Sequence, residues 1–318
     1  MRMRMLLLAV TLCAANGCDR DQARVERPAQ APSLDATAGK HVEGGDAEKL
    51  YEEFERSLHK QGGFRPHVVG GKPVLKGSYM AVVGLTTGGS ELPICTGTLI
   101  EPDIVLTAAH CICDHATSNV FIGHNPRASM EGQGYVGIRN WVSAIECHGL
   151  PGSRIETRKN LDLAIVRLNR PIIGIDPMKV ASAIDIDRAS SARVVGFGAR
   201  DRQGRIYKYE KEHAPVPVRS PACLGSADSD QFQCDAGNEI VAGVRGGADT
   251  CNGDSGGPIL VGLYTGVTNE AGNQRLAGVT SRPVSGASTP CGDGGVYERI
   301  TPFALWWISE ATRRARLN

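Results

Sequence analysis

The chain has 318 residues, 41% of them hydrophobic and 22% charged, which supplies a sizeable core and excludes a fully disordered chain. Lysine and arginine number 35 against 34 aspartates and glutamates, so a net charge of +1 gives no bulk electrostatic case for nucleic acid or a membrane surface. At ~150 residues per domain the length suits about two domains, or one large all-β unit. Ten cysteines need explaining, and they are too few for a small disulfide scaffold.

Arg2 and Arg4 precede an apolar run of 11 residues, Met5 to Ala15. A membrane-spanning helix needs roughly 20, so residues 1–18 read as an export signal. Ala15-Asn16-Gly17 ahead of Cys18 resembles a bacterial lipoprotein signal, with Cys18 as the lipid anchor; ordinary cleavage near Ala15 or Gly17 is the alternative. The chain is then exported, either secreted or held as a lipoprotein at the cell envelope. Export makes disulfides the default state of cysteine. Cys13 and Cys18 belong to the signal, which leaves Cys95, Cys111, Cys113, Cys147, Cys223, Cys234, Cys251 and Cys291, an even number suited to bridges.

Residues 19 to about 45 are polar, rich in Pro and Gly and without an apolar period, and read as a flexible linker. Over residues 46–61, Leu50, Phe54 and Leu58 recur at helical spacing, with Asp46 as N-cap and Gly62-Gly63 as the stop. This helix is either a core element or part of a propeptide; the second fits better, within a linker-and-propeptide region over 19–67.

From Val68 onward short apolar runs alternate with Gly, Pro and Asn. Strands are predicted over 81–85, 104–108, 120–122, 164–168, 193–196, 259–263, 276–280 and 296–300. Only the end reads as helical: Pro302 sits at a helix start and Phe303 to Leu317 carries a periodic apolar face. No repeat is visible.

Three segments carry chemistry. Leu106-Thr107-Ala108-Ala109-His110-Cys111 ends an apolar strand, Asp162-Leu163-Ala164-Ile165-Val166 opens another, and Cys251-Asn252-Gly253-Asp254-Ser255-Gly256-Gly257-Pro258 is glycine-rich. Each alone is an ordinary turn or strand end. Together, in the order His, Asp, Ser, they resemble the trypsin/chymotrypsin-like serine peptidase family, over about Val68 to Leu317. A serine hydroxyl needs a base within hydrogen-bond reach to become a nucleophile. The resemblance makes Ser255 that nucleophile, His110 its base, and Asp162 the group that holds the imidazole's tautomer. It assigns the backbone N–H groups of Gly253 and Ser255 to an oxyanion hole, each donor worth roughly 3 kcal/mol in the transition state.

The family's fold would be all-β: two antiparallel Greek-key β-barrels with a C-terminal α-helix. The peptidase domain would span 68–318, with barrel 1 over about 68–180, barrel 2 over about 181–301 and the helix over 302–317, docked on the second barrel. The active site would lie in the cleft between barrels. The same resemblance pairs Cys95 with Cys111, Cys251 with Cys291 and Cys223 with Cys234, which leaves Cys113 with Cys147. A zinc cluster of His110, Cys111, Cys113 and His115 is the competing reading of that stretch; no metal or cofactor is expected. Glu131 alone among 124–136 is acidic, too little for a calcium loop.

Family position also places Asp249, six before the nucleophile, at the base of the primary pocket, which implies cleavage after Arg or Lys, with Gly295 keeping the pocket open. Thr280, Ser281 and Arg282 fall on the opposite wall, where the family usually reads Ser-Trp-Gly. Arg282 in that place narrows the pocket, pairs with Asp249, or points into solvent. His67-Val68-Val69-Gly70-Gly71 resembles the activation junction, so a new Val68 amine would pair with Asp254 in a zymogen switch. His67 stands where Arg or Lys is usual, and Pro66 follows Arg65, which points to a different protease as activator. Partners are therefore a protein or peptide substrate and an activating protease, with no nucleic acid. A catalytically silent homologue that binds peptides or proteins is the rival; Arg282 and His67 are the departures in its favour.

Overall fold

Short runs of Val, Ile, Leu and Thr, cut by turns, build fourteen strands among the described residues, which are 69–128, 132–145, 147, 153–154, 161–262 and 273–317 of the computed structural model. The export signal, the linker, the 46–61 helix, Val68 and Glu131 lie outside them.

The strands are β1 (Lys72–Pro73), β2 (Val82–Thr87), β3 (Cys95–Glu101), β4 (Ile104–Thr107), β5 (Thr117–Ile122), β6 (Gly134–Ser143), β7 (Ser153–Arg154) and β8 (Ala164–Leu168), then β9 (Ser191–Gly196), β10 (Glu212–Ser220), β11 (Glu239–Ala242), β12 (Pro258–Gly262), β13 (Gln274–Pro283) and β14 (Gly295–Arg299). Six of the first eight close into the ring β2-β3-β4-β8-β6-β5, and the last six into the ring β9-β10-β11-β14-β13-β12. All neighbours within each ring are antiparallel. The two circular orders are the same, so one topology occurs twice in a sequence that shows no repeat. Closure removes the exposed sheet edges that an open sheet would present.

The chain passes from the first barrel to the second near Met178, whose N–H bonds to Leu99 O, and Ala181, whose N–H bonds to Leu276 O. β1 stands apart from this order: although first in sequence, it pairs with β10 of the second barrel, Lys72 opposite His213.

Periodicity overlooked β1, β3, β6, β7, β10 and β11. In β10 the buried phase is Glu212, Ala214 and Val216, while Pro215 and Pro217 occupy the other phase; proline and a buried glutamate disguise a strand. Helix is also not confined to the end. Short helices α1 (Ala109–Cys113), α2 (Ala183–Asp187) and α3 (Ser226–Phe232) occur in the connections. They are too short to carry a period, and α2 is set by a capping box between Ser182 and Asp185.

The C-terminal helix α4 (Pro302–Leu317) begins with Pro302 in its first turn and with Thr301 Oγ1 accepting from Ala304 N at 3.1 Å. Contrary to expectation it packs on the first barrel, against β6 and β8. Its buried face is Ala304, Trp307, Ile308, Ala311, Thr312 and Ala315. The free carbonyl of Ala315 finds donors there, Asn140 Nδ2 at 2.9 Å and Arg167 Nη1 at 3.1 Å. Arg316 pairs with Glu101 and Asp103 of the same barrel. Among the described residues no helix is long and apolar enough to cross a membrane.

Candidate active site

The three candidate catalytic residues sit in connections next to strands β4, β8 and β12. β4 runs into α1, whose second residue is His110, and the Cys95–Cys111 disulfide ties that turn to β3. Asp162 lies two residues before β8 and Ser255 three before β12.

The His110 and Asp162 side chains meet: His110 Nδ1 lies 2.8 Å from Asp162 Oδ2, and the His110 backbone N–H donates to Asp162 Oδ1 at 3.0 Å. A carboxylate only accepts, so Nδ1 carries the proton and Nε2 is left with a free lone pair. Burial alone would push the His110 pKa down, but the hydrogen bond and charge of Asp162 outweigh it and raise it above the usual imidazole value. Burial pushes the other way on Asp162, and its bonds to His110 and Ser281 hold the carboxyl below the usual range.

Sequence reasoning placed Ser281 on the pocket wall; the structure turns it to Asp162 instead, with Oγ donating to Oδ2 at 2.7 Å. Behind Asp162, its backbone N–H donates to Oε1 of the fully buried Glu298 at 3.1 Å. Neither role was visible in the sequence, because the partners lie 119 and 136 positions away.

His110, Ser255 and Gly253 line one cleft of about 490 Å3. Two glycines shape the turn that carries Ser255. Gly253 has φ +95° and Gly256 φ +79°, which favours glycine at both. A Cβ on Gly256 would meet Thr96 O and Thr107 Oγ1. Thr96 of β3 reaches across from the first barrel: its N–H donates to Ser255 O and its Oγ1 to Gly253 O, both at 2.8 Å, while Oγ1 accepts from Phe197 N at 3.2 Å. Thr96 was another residue the sequence did not single out.

Asp249 is almost fully buried. Its Oδ2 accepts from Gly292 N at 2.9 Å and Gly294 N at 3.0 Å, and Oδ1 from Thr250 N at 2.8 Å. Burial lifts its pKa to about 6, against the pull of those amides. Gly295 lies alongside: a Cβ there would come within 3.2 Å of Thr250 Oγ1 and 3.1 Å of Tyr297 Oη. Thr280 faces inward, Oγ1 donating to Gly257 O at 3.0 Å. Arg282 does not fill the Asp249 niche; its side chain, 40% exposed, is tied down at the surface. It forks onto buried Glu239, Nη1 to Oε1 at 2.5 Å and Nη2 to Oε2 at 2.8 Å, and also reaches Gln233 O.

Asp254, beside Ser255, accepts from Gly198 N at 2.8 Å and Cys251 N at 2.9 Å. Its complete burial raises its pKa to about 7, with Asp249 adding to the effect. Val69, the first described residue, packs with Ala199, Cys251 and Cys291, and its carbonyl accepts from Asp249 N at 2.9 Å.

Four disulfides are present, Cys95–Cys111, Cys113–Cys147, Cys223–Cys234 and Cys251–Cys291. Cys111 and Cys113 are thus each half of a bridge, which removes the thiolates a zinc cluster with His110 and His115 needs.

The family model for trypsin matches residues 68–307. The chain is 31% identical to a trypsin of Saccharopolyspora erythraea, over 74% of this chain and 94% of that protein. It is 28% identical to the factor V activator of Macrovipera lebetinus, over 75% of this chain and 85% of that one. Neuropsin, a serine protease expressed in the limbic system of mouse brain, superposes with a TM-score of 0.56 at 22% identity, covering 76% of this chain and 98% of its own, which speaks for the fold. With two closed barrels, a C-terminal helix and a family match across three quarters of its length, the chain belongs to the trypsin family of serine endopeptidases.

Proposed function

We propose that the protein is an exported endopeptidase that cuts after Arg or Lys, with Ser255 as nucleophile, His110 as general base and Asp162 as the orienting carboxylate. The observation that carries this is His110, its Nδ1 held 2.8 Å from Asp162 Oδ2, lining one cleft with Ser255. Ser255 Oγ gives its proton to His110 Nε2 as it attacks the substrate carbonyl, and Asp162 stabilises the imidazolium. The oxyanion is met by the Gly253 and Ser255 amides. Thr96, holding the carbonyls on either side of Asp254, supports this by fixing the orientation of those peptides. His110 then returns its proton to the leaving amine, and water repeats the sequence on the acyl-enzyme.

Specificity for Arg or Lys is supported by Asp249, a buried carboxylate with no cationic side chain paired to it among the described residues. Its amides compensate in part, and a substrate cation completes the compensation. Arg282 is occupied by Glu239 and leaves that role open. Domain limits follow: a peptidase over 68–318, with 1–18 as export signal, lipid-anchored at Cys18 or cleaved, and 19–67 as linker and propeptide.

The zymogen reading rests on Asp254, fully buried between two amides, and on Val69 packed next to that niche. Cutting before Val68 would supply an amine where Asp254 needs one. A fluorophosphonate probe should label Ser255 only after this cut, and peptides varied at the cleaved position should be preferred with Arg or Lys. Absence of labelling in the processed protein would establish a silent binding homologue; preference for Leu or Phe would overturn the role of Asp249.

A further inference from the structure

Two carboxylates stand directly opposite each other in the second barrel. Glu239 of β11 pairs with Glu298 of β14 in the strand register, and their chain neighbours Ile240 and Tyr297 belong to that barrel's core. Alternation therefore puts Glu239 and Glu298 on the other, outer face. Both are buried, Glu298 completely. Like charges opposite each other in a sheet are destabilising, and buried carboxylates demand donors, so local stability does not account for this placement. Sequences break such rules at sites that do chemistry.

The donors show where the pair leads. Glu239 is held by the Arg282 fork and by the Asp235 N–H, which donates to Oε2 at 2.7 Å. Glu298 reaches across to the first barrel, where its Oε1 accepts the backbone N–H of Asp162. Arg282 is the cation set among these acids. Its hydrogen bond to Glu239, opposed by burial and helped by the charges of Glu239, Glu298 and Asp162, raises its pKa. Glu298 is thus faced by Glu239 from β11, by Arg282 from β13, and by Asp162, with His110 beyond it, from the first barrel. The second barrel grips Asp162 twice, Ser281 at the carboxylate and Glu298 at the backbone. We propose, on the peptidase reading above, that Glu298 is a positioning residue: its ionised carboxylate fixes the Asp162 peptide and adds negative charge behind the His110–Asp162 pair, while Arg282 supplies the cation that lets it stay ionised and buried. A negative charge there favours the imidazolium that forms when His110 takes the Ser255 proton.

Steady-state kinetics of the full chain processed before Val68 test it, with the substrate that the peptide panel above selects and with active sites counted by fluorophosphonate labelling. Glu298→Met removes the acceptor and the charge at similar volume. Its kcat per labelled site should fall roughly tenfold with KM unchanged, because a misaligned carboxylate costs rate and not binding. Glu298→Gln keeps an oxygen for the Asp162 N–H and removes the charge. It should recover most of the kcat, and the acidic limb of its kcat/KM profile should move to lower pH by about half a unit, because the imidazolium loses a nearby negative charge. A carboxylate that only supports the fold would lower Tm and yield and leave both readouts of the labelled fraction unmoved. A parental kcat per labelled site in Glu298→Met, or an unmoved limb in Glu298→Gln, overturns the role while hydrolysis by the parent leaves the peptidase reading standing. Should Glu298→Met not fold, the limb of Glu298→Gln decides alone. Absence of hydrolysis by the processed parent overturns both.

Discussion

Asp162 is held by three donors, the His110 ring, the His110 backbone and Ser281, and the order of their effects is testable. In the proposed mechanism His110 is a base only when neutral, so activity should be lost on acidification through its pKa, which Asp162 holds above the usual imidazole value. Replacing Asp162 by Asn removes the charge and presents a donor to the wrong tautomer. The kcat should fall by roughly four orders of magnitude and the acidic limb of the kcat/KM profile should move to lower pH. Ser281→Ala removes one hydrogen bond to a charged, buried acceptor, and about a tenfold loss in kcat is expected, measured with KM to show that binding is spared. The role of Asp162 is legible in its own segment, whereas the neighbours of Ser281 say nothing about its bond to Asp162.

At the scale of elements, the Ser255 turn before β12 depends on a strand from the other barrel. Thr96 in β3 satisfies Gly253 O and Phe197 N with a single hydroxyl, buried from water. Thr96→Val keeps the shape and orphans both groups. Chemical denaturation should show a loss of about 2 kcal/mol, and kcat should drop while KM changes little, because the peptides proposed to hold the oxyanion lose an anchor. The four disulfides act at the same scale. They close loops with separations of 16, 34, 11 and 40 residues, each worth roughly 3–4 kcal/mol in the chain-entropy account. Their presence fits a protein that matures in an oxidising compartment.

For the whole molecule, the buried acids make stability depend on pH and on processing. Asp254 and Asp249, with folded pKa values of about 7 and about 6, hold protons that the unfolded chain has already released above about pH 4. Stability from this source is therefore present below pH 4 and lost as pH rises to 7. His124 and His213, both depressed to about 4 mainly by burial, act in the opposite sense over the same range. A difference measurement separates them. In the unprocessed chain, Asp254→Asn should gain stability over the parent as pH rises from about 5 to about 7.5, read as a growing Tm difference. After cutting before Val68 the parent should become the more stable of the two, because the new amine pairs with ionised Asp254. An unchanged Tm difference after cutting would refute the switch.

The sequence by itself determined the family, the catalytic chemistry to look for and most strands, because strand periodicity and the segments around His110, Asp162 and Ser255 are local patterns. Its disulfide pairing, carried by resemblance, is also the pairing in the structure. What only the tertiary structure decided depends on residues far apart in the chain. Ser281 and Glu298 reach Asp162, Thr96 bridges to Ser255, and Arg282 turns to Glu239 and away from Asp249. α4 lies on the first barrel because Asn140 and Arg167 supply donors for its last carbonyls and Glu101 and Asp103 supply charge for Arg316, a choice that an amphipathic face alone does not make. β10 hid its alternation behind two prolines and a buried glutamate. A strand's period is written in consecutive residues; the partner of a buried polar group is chosen by the closure of the barrels.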